Sequence, residues 1–144
     1  MAALSDYLEN AIVDHILRAT PFTAPTTVYV GLLTAAPSDT GGGTEVTGGS
    51  YARVAVTSAT TAWNGTHGTT TGASSGTDGT IENAATITFP TPTAGWLTAT
   101  HWGVYDAATG GNLLFQAPLT VAKTINSGDA VSFAAGALSL QIDN

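Results

Sequence analysis

The chain has 144 residues, a formal net charge of −7 and no cysteine. That length fits one folded domain spanning 1–144. The missing thiols exclude a disulfide framework, cysteine nucleophiles and cysteine-ligated metal. Three basic side chains against ten acids cannot build the phosphate-neutralising face that nucleic-acid affinity depends on, nor a patch for anionic lipid. No apolar run approaches the roughly 20 residues of a membrane span, and the first residues lack the basic and apolar regions of a signal peptide. These features predict no nucleic-acid and no membrane partner.

Residues 5–18 read as an amphipathic helix. Leu8, Ile12 and Ile16 recur every four residues, and Val13 and Leu17 widen the stripe. Ser5 is placed to cap the first turn. Asp6 and Glu9 suit the positive end of the helix dipole, Arg18 suits the negative end, and Pro21 stops the helix. About four turns are marginal alone, so this stripe must pack on the protein's own sheet or on a neighbour.

After Pro21 the period changes to two. Residues 26–33 (TTVYVGLL) and 51–58 (YARVAVTS) predict strands rich in β-branched and aromatic side chains. Residues 64–80 contain Ala73 as their one apolar side chain. They predict a long flexible loop that contributes nothing to a core, and residues 39–49 predict a second adaptable segment. Strand patterns resume at 84–89, 98–105, 112–117, 130–134 and 137–142, separated by turns such as AATGG (107–111) and NSGD (126–129). Without crossover helices a parallel sheet is excluded. The fold class is therefore mainly β: an antiparallel β-sandwich or jelly-roll-like domain over 26–142, with one N-terminal α-helix.

Patterns with chemical meaning are few. Gly72, Ser74 and Gly76 match G-x-S-x-G, and Asp78 and His101 follow in the order of an α/β-hydrolase. That elbow requires a strand entering and a helix leaving the serine, and a Gly/Ser/Thr-rich stretch offers neither. His15, His67 and His101 are scattered without metal-ligand spacing, and no calcium loop or phosphate-binding glycine motif occurs. Asn64-Gly65-Thr66 has the form of a glycosylation sequon but reads as a turn. The expectation is no catalytic residue, no cofactor and no metal. Trp63, Trp96 and Trp102 fit core or interface anchors better than a sugar-stacking platform. A partner interface is expected at Leu8, Ile12, Ile16, Leu17, Trp63 and Trp96.

Several stretches carry a resemblance. They are LSDYLEN at 4–10, GSYAR at 49–53, THWGVYDAATGGNLLF at 100–115, INSGD at 125–129 and FAAGAL at 133–138. Together they resemble a family of small structural proteins of tailed bacteriophages. Its members are usually labelled tail fibre proteins, and some resemble head decoration (cement) proteins. The resemblance implies a virion protein made in the host cytoplasm and seated on the head surface. There it would bind the major capsid protein and copies of itself as a homo-oligomer, stabilising the shell by bridging capsid subunits. A tail or tail-fibre component bound to other tail proteins is the alternative, and a carbohydrate-binding module is the second.

Overall fold

The computed structural model describes residues 3–65 and 79–142. The chain starts with β1 (Ala3–Leu4) and α1 (Asp6–Leu17) and continues as β2 (Thr27–Ala35), β3 (Thr44–Glu45) and β4 (Val54–Thr57). Then come β5 (Trp63–Asn64), β6 (Thr80–Asn83), β7 (Ile87–Thr88), β8 (Leu97–Tyr105), β9 (Leu113–Ile125), β10 (Ser132–Phe133) and β11 (Ser139–Gln141). Every strand pairing among the described residues is antiparallel. The main sheet runs β1-β9-β8-β2-β3, with β4 also on β2, and the smaller sheets are β10-β7 and β11-β6-β5. The fold is mainly β with one helix near the N-terminus, as the sequence predicts.

The core forms where one face of the main sheet meets the smaller sheets. Val28, Val30 and Leu32 of β2 lie opposite Val56, Val54, Val104 and Trp102 on the neighbouring strands, so apolar side chains share one face. Ile87, Phe89, Leu138 and Leu140 pack into the same cluster. Asn83, almost wholly buried, ties β6 to the segment between β10 and β11. Its amide donates to the Ala85 and Ala134 carbonyls at 2.7 and 2.8 Å and accepts the Leu138 N–H at 2.8 Å. The FAAGAL stretch is shaped around this one side chain.

Ser5 caps α1 as expected. Its oxygen accepts the Leu8 N–H at 3.3 Å while its hydroxyl donates to the Leu113 carbonyl, tying the helix start to β9. Beyond the helix, His15 Nδ1 accepts the Phe22 N–H at 3.1 Å, and Phe22 turns back against the core.

Several elements differ from the sequence expectation, each for a tertiary reason. Residues 39–49 are not a free segment: β3 pairs with β2, Val46 is buried, and the Asp39 carbonyl accepts the Asp6 N–H at 2.8 Å. Tyr51 and Arg53 precede β4 rather than continuing it. β9 runs through Pro118 instead of ending at Ala117. Proline is tolerated there because the register slips: His101 faces Pro118 and Ala99 faces Lys123, so residues 119–122 oppose Thr100 alone. Asn64 and Thr80, the ends of the expected loop, lie in strands, and residues 66–78 between them, with the G-x-S-x-G pattern, Asp78 and His67, fall outside the described residues.

Candidate interaction surfaces and the Arg53 clasp

The most chemically loaded cluster is one that sequence reasoning does not single out. After β3 the chain reverses through Gly48, Gly49 and Ser50, all at positive φ, and returns Tyr51 and Arg53 to the side of Glu45. Arg53 grips Glu45 bidentately: Nε donates to Oε1 at 2.8 Å and Nη2 donates to Oε2 at 2.7 Å. Its Nη1 donates to the Ala107 and Gly110 carbonyls at 2.7 and 2.8 Å. The guanidinium carbon sits 3.4 Å from the Tyr105 ring centre, and the side chain is only 6% exposed.

Tyr51 completes the clasp. Its hydroxyl donates to Glu45 Oε1 at 2.9 Å and accepts the Leu32 N–H at 2.8 Å. Leu32 lies on the edge of β2 between the stretches paired with β4 and β3, and Tyr51 supplies the partner that neither strand gives its N–H. Room for these rings comes from Gly31 and Gly103, which face each other across β2 and β8. A Cβ at Gly31 would stand 3.0 Å from the Tyr51 hydroxyl, and one at Gly103 would stand 3.0 Å from the Tyr105 ring.

Burial pushes the Tyr51 phenol far above its usual range, and the Glu45 charge adds to this. The Tyr105 phenol rises for the same first reason. Burial opposes the charge of Arg53, but hydrogen bonding and attraction to Glu45 outweigh it and raise its pKa. The hairpin loop over residues 106–112 is closed from below by Arg53 and from within by Asp106, whose carboxylate accepts the Asn112 N–H and its side-chain amide, each at 2.7 Å. Gly110 and Gly111 supply the positive φ angles. Among the described residues no buried side-chain nitrogen or oxygen lacks a partner. The clasp joins β3, the residues before β4 and the 106–112 loop, and each of its side chains is engaged within the chain.

The six expected interface residues separate. Leu8 and Trp96 are a correction: they are 5% and 1% exposed and belong to the chain's own core. Ser5 anchors the helix start and turns Leu8 inward, while Trp96 is held by its Nε1–H donating to the Gly49 carbonyl at 3.0 Å. Ile12 is partly buried against the core. Ile16 and Leu17 stand 69% and 76% exposed on the last turn of α1, near exposed Val13. Trp63 is half-buried and lines an apolar groove of about 490 Å³ with Ile81, Phe115, Leu140 and Ile142. Trp102 is buried, so Trp96 and Trp102 form no sugar platform.

Exposed apolar side chains that escaped the sequence reading include Leu97, 73% exposed at the start of β8, and Val121. Val121, 76% exposed, stands on the irregular part of β9. Its signal was the TVAKT pattern beyond Pro118. His101 Nδ1 lies 2.9 Å from Thr100 Oγ1, and no group of three or more potential metal ligands occurs among the described residues.

Comparison with known proteins gives one family and no curated relative. A family model described as Podophage GP4 fiber I protein gp80 matches residues 3–141. That match takes in α1, the GSYAR stretch, the hairpin loop and the FAAGAL turn, the same stretches that carry the resemblance to tailed-phage proteins. The chain therefore belongs to the family of the podophage GP4 fiber I protein gp80, and it is a bacteriophage virion structural protein.

Proposed function

We propose that this protein is a fibre subunit on the outside of a podophage particle, acting by binding copies of itself and other virion proteins and not by chemistry. The observation that carries this reading is the match of residues 3–141 to a family described as a fiber protein. The engagement of the Arg53, Glu45 and Tyr51 groups inside the fold supports a role without catalysis. Multiplied over many copies, modest contacts make a stable assembly. No DNA and no lipid partner is proposed, because Arg18 and Arg53 are both committed to ion pairs within the chain.

A second reading is a head decoration protein that bridges major capsid subunits. It draws support from the closed core: Val30, Leu33, Trp96 and Leu138 are buried within one chain, so the subunit folds before it docks. Deleting the gene separates the two. A fibre subunit predicts heads of normal heat resistance with defective adsorption or tail assembly. Decoration predicts normal adsorption with DNA released at lower temperature. Immunogold labelling of the intact particle gives the same answer independently.

A further inference from the structure

Of the asparagines in this chain, Asn64 alone is followed by glycine. Its place in the fold also sets it apart. Asn83 is almost wholly buried and held by three side-chain hydrogen bonds, and Asn112 donates its amide to Asp106 at 2.7 Å. Asn64 ends β5, a two-residue strand at the edge of the β11-β6-β5 sheet. Glu82 lies opposite it on β6, and the Asn64 amide donates to Glu82 Oε1 at 3.5 Å, long for a hydrogen bond. Gly65 follows beyond the strand, half-buried. A strand end held by two residue pairs opens far more readily than a core strand. Glycine has no Cβ to keep its nitrogen away from the preceding side chain.

We propose that Asn64 is a site of spontaneous modification, converting to isoaspartate and aspartate in the folded chain. The Gly65 nitrogen gives its proton to solvent and attacks Asn64 Cγ. A nitrogen–Cγ bond forms, the bond from Cγ to Nδ2 breaks, and Nδ2 takes a proton from solvent and leaves as ammonia. The five-membered imide that results is opened by water. Attack at the Asn64 backbone carbonyl gives isoaspartate, with the chain now running through the side chain, and attack at Cγ gives aspartate. Nothing is oxidised or reduced, and water is the only other reactant. Either product puts a carboxylate at the end of β5, beside Glu82. An amide that donated to Glu82 is replaced by a second acceptor of like charge, and such pairs repel across strands. β5 also carries Trp63, a wall of the apolar groove with Ile81 and Phe115. Modification thus turns a contact that holds this edge into one that opens it, increasingly as the protein ages. This goes beyond the fibre reading and does not depend on it.

Incubating the purified full chain at neutral and mildly alkaline pH, then digesting it for mass spectrometry, tests the assignment. The peptide holding Asn64 should gain one dalton, with isoaspartate detected by enzymatic methylation. Peptides holding Asn83 and Asn112 should keep their mass. The rate should rise about tenfold per pH unit, because the attacking nitrogen must first lose its proton. Gly65→Ala should slow conversion about tenfold or more, since a Cβ hinders the approach. Asn64→Asp, which carries the product's charge, should melt about 2 °C below wild type. Its tryptophan emission should shift to the red as Trp63 meets water, and adding Glu82→Gln should restore both. A folded chain whose Asn64 keeps its mass while the urea-unfolded chain converts overturns the proposal. So does conversion at Asn112 as fast as at Asn64. An Asn64→Asp chain that melts and emits like wild type refutes the opening of the β5 edge.

Discussion

The hairpin loop over residues 106–112 and the last turn of α1 both project from the main sheet, yet they are finished in opposite ways. The loop is polar, but Arg53 binds two of its carbonyls and Asp106 binds across it. The helix end is apolar and exposed at Val13, Ile16 and Leu17. One projection is completed inside the chain, and the other is left as bare apolar surface. The distinctive GSYAR and DAATGG stretches belong to the completed side and help to hold this fold together.

Breaking the completed side should have the largest effect. Arg53→Ala leaves Glu45 part-buried without its cation and frees the Ala107 and Gly110 carbonyls. Loss of a partner from such a pair costs about 3–5 kcal/mol, and urea unfolding should show it as a lower midpoint. Arg53→Lys should recover part of the loss, because an ammonium cannot reproduce the two-pronged contact. A variant of wild-type stability would mean that the clasp contributes nothing.

The contrast within α1 itself comes next. Leu8→Ala removes a buried core side chain and should cost about 2–4 kcal/mol. Ile12→Asp should destabilise as well, since Ile12 packs against the core and an acid there is left half-buried and unpaired. A normally stable Ile12→Asp chain that fails only to assemble would instead make that residue part of the contact surface.

Alkaline pH probes the clasp from another side. Both Tyr51 and Tyr105 are shifted upward on folding. Above about pH 10, unfolded tyrosine gives up its proton while the folded phenols keep theirs. The folded state then binds more protons, and stability falls as pH rises. The two tyrosines thus contribute their full share below that pH. Tyr51→Phe, though weaker at neutral pH for want of its hydrogen bonds, should show a shallower alkaline decline in thermal melts.

The smallest effect sharpens the comparison. Leu17→Ala touches a side chain 76% exposed and should change stability by less than about 0.5 kcal/mol. A loss as large as that of Leu8→Ala would show that the helix end is not a free surface.

Much of the architecture was legible because local patterns and global packing agree. The Ser5 cap, the change of period after Pro21 and the alternation in β2 and β8 depend on a few neighbouring residues. Those neighbours are in the sequence window. The extension of β9 was not legible, since Pro118 is a stop signal unless a distant strand lets the register slip. Nor was Asn83, an ordinary polar residue until the turn before β11 folds around it. Leu8 and Leu17 were assigned to the same surface because the repeat of apolar residues cannot say how the helix is rotated on the sheet.

From the sequence alone came the mainly β antiparallel class, the capped N-terminal helix and the exclusion of cysteine chemistry. All follow from composition and short-range periodicity. Only the tertiary structure decided which apolar side chains are spent on the core and which remain bare. It also brought Glu45, Tyr51, Arg53 and Tyr105 together across three separate stretches of chain. Burial and the meeting of distant charges depend on where the strands lie in space, and sequence spacing carries no direct record of that.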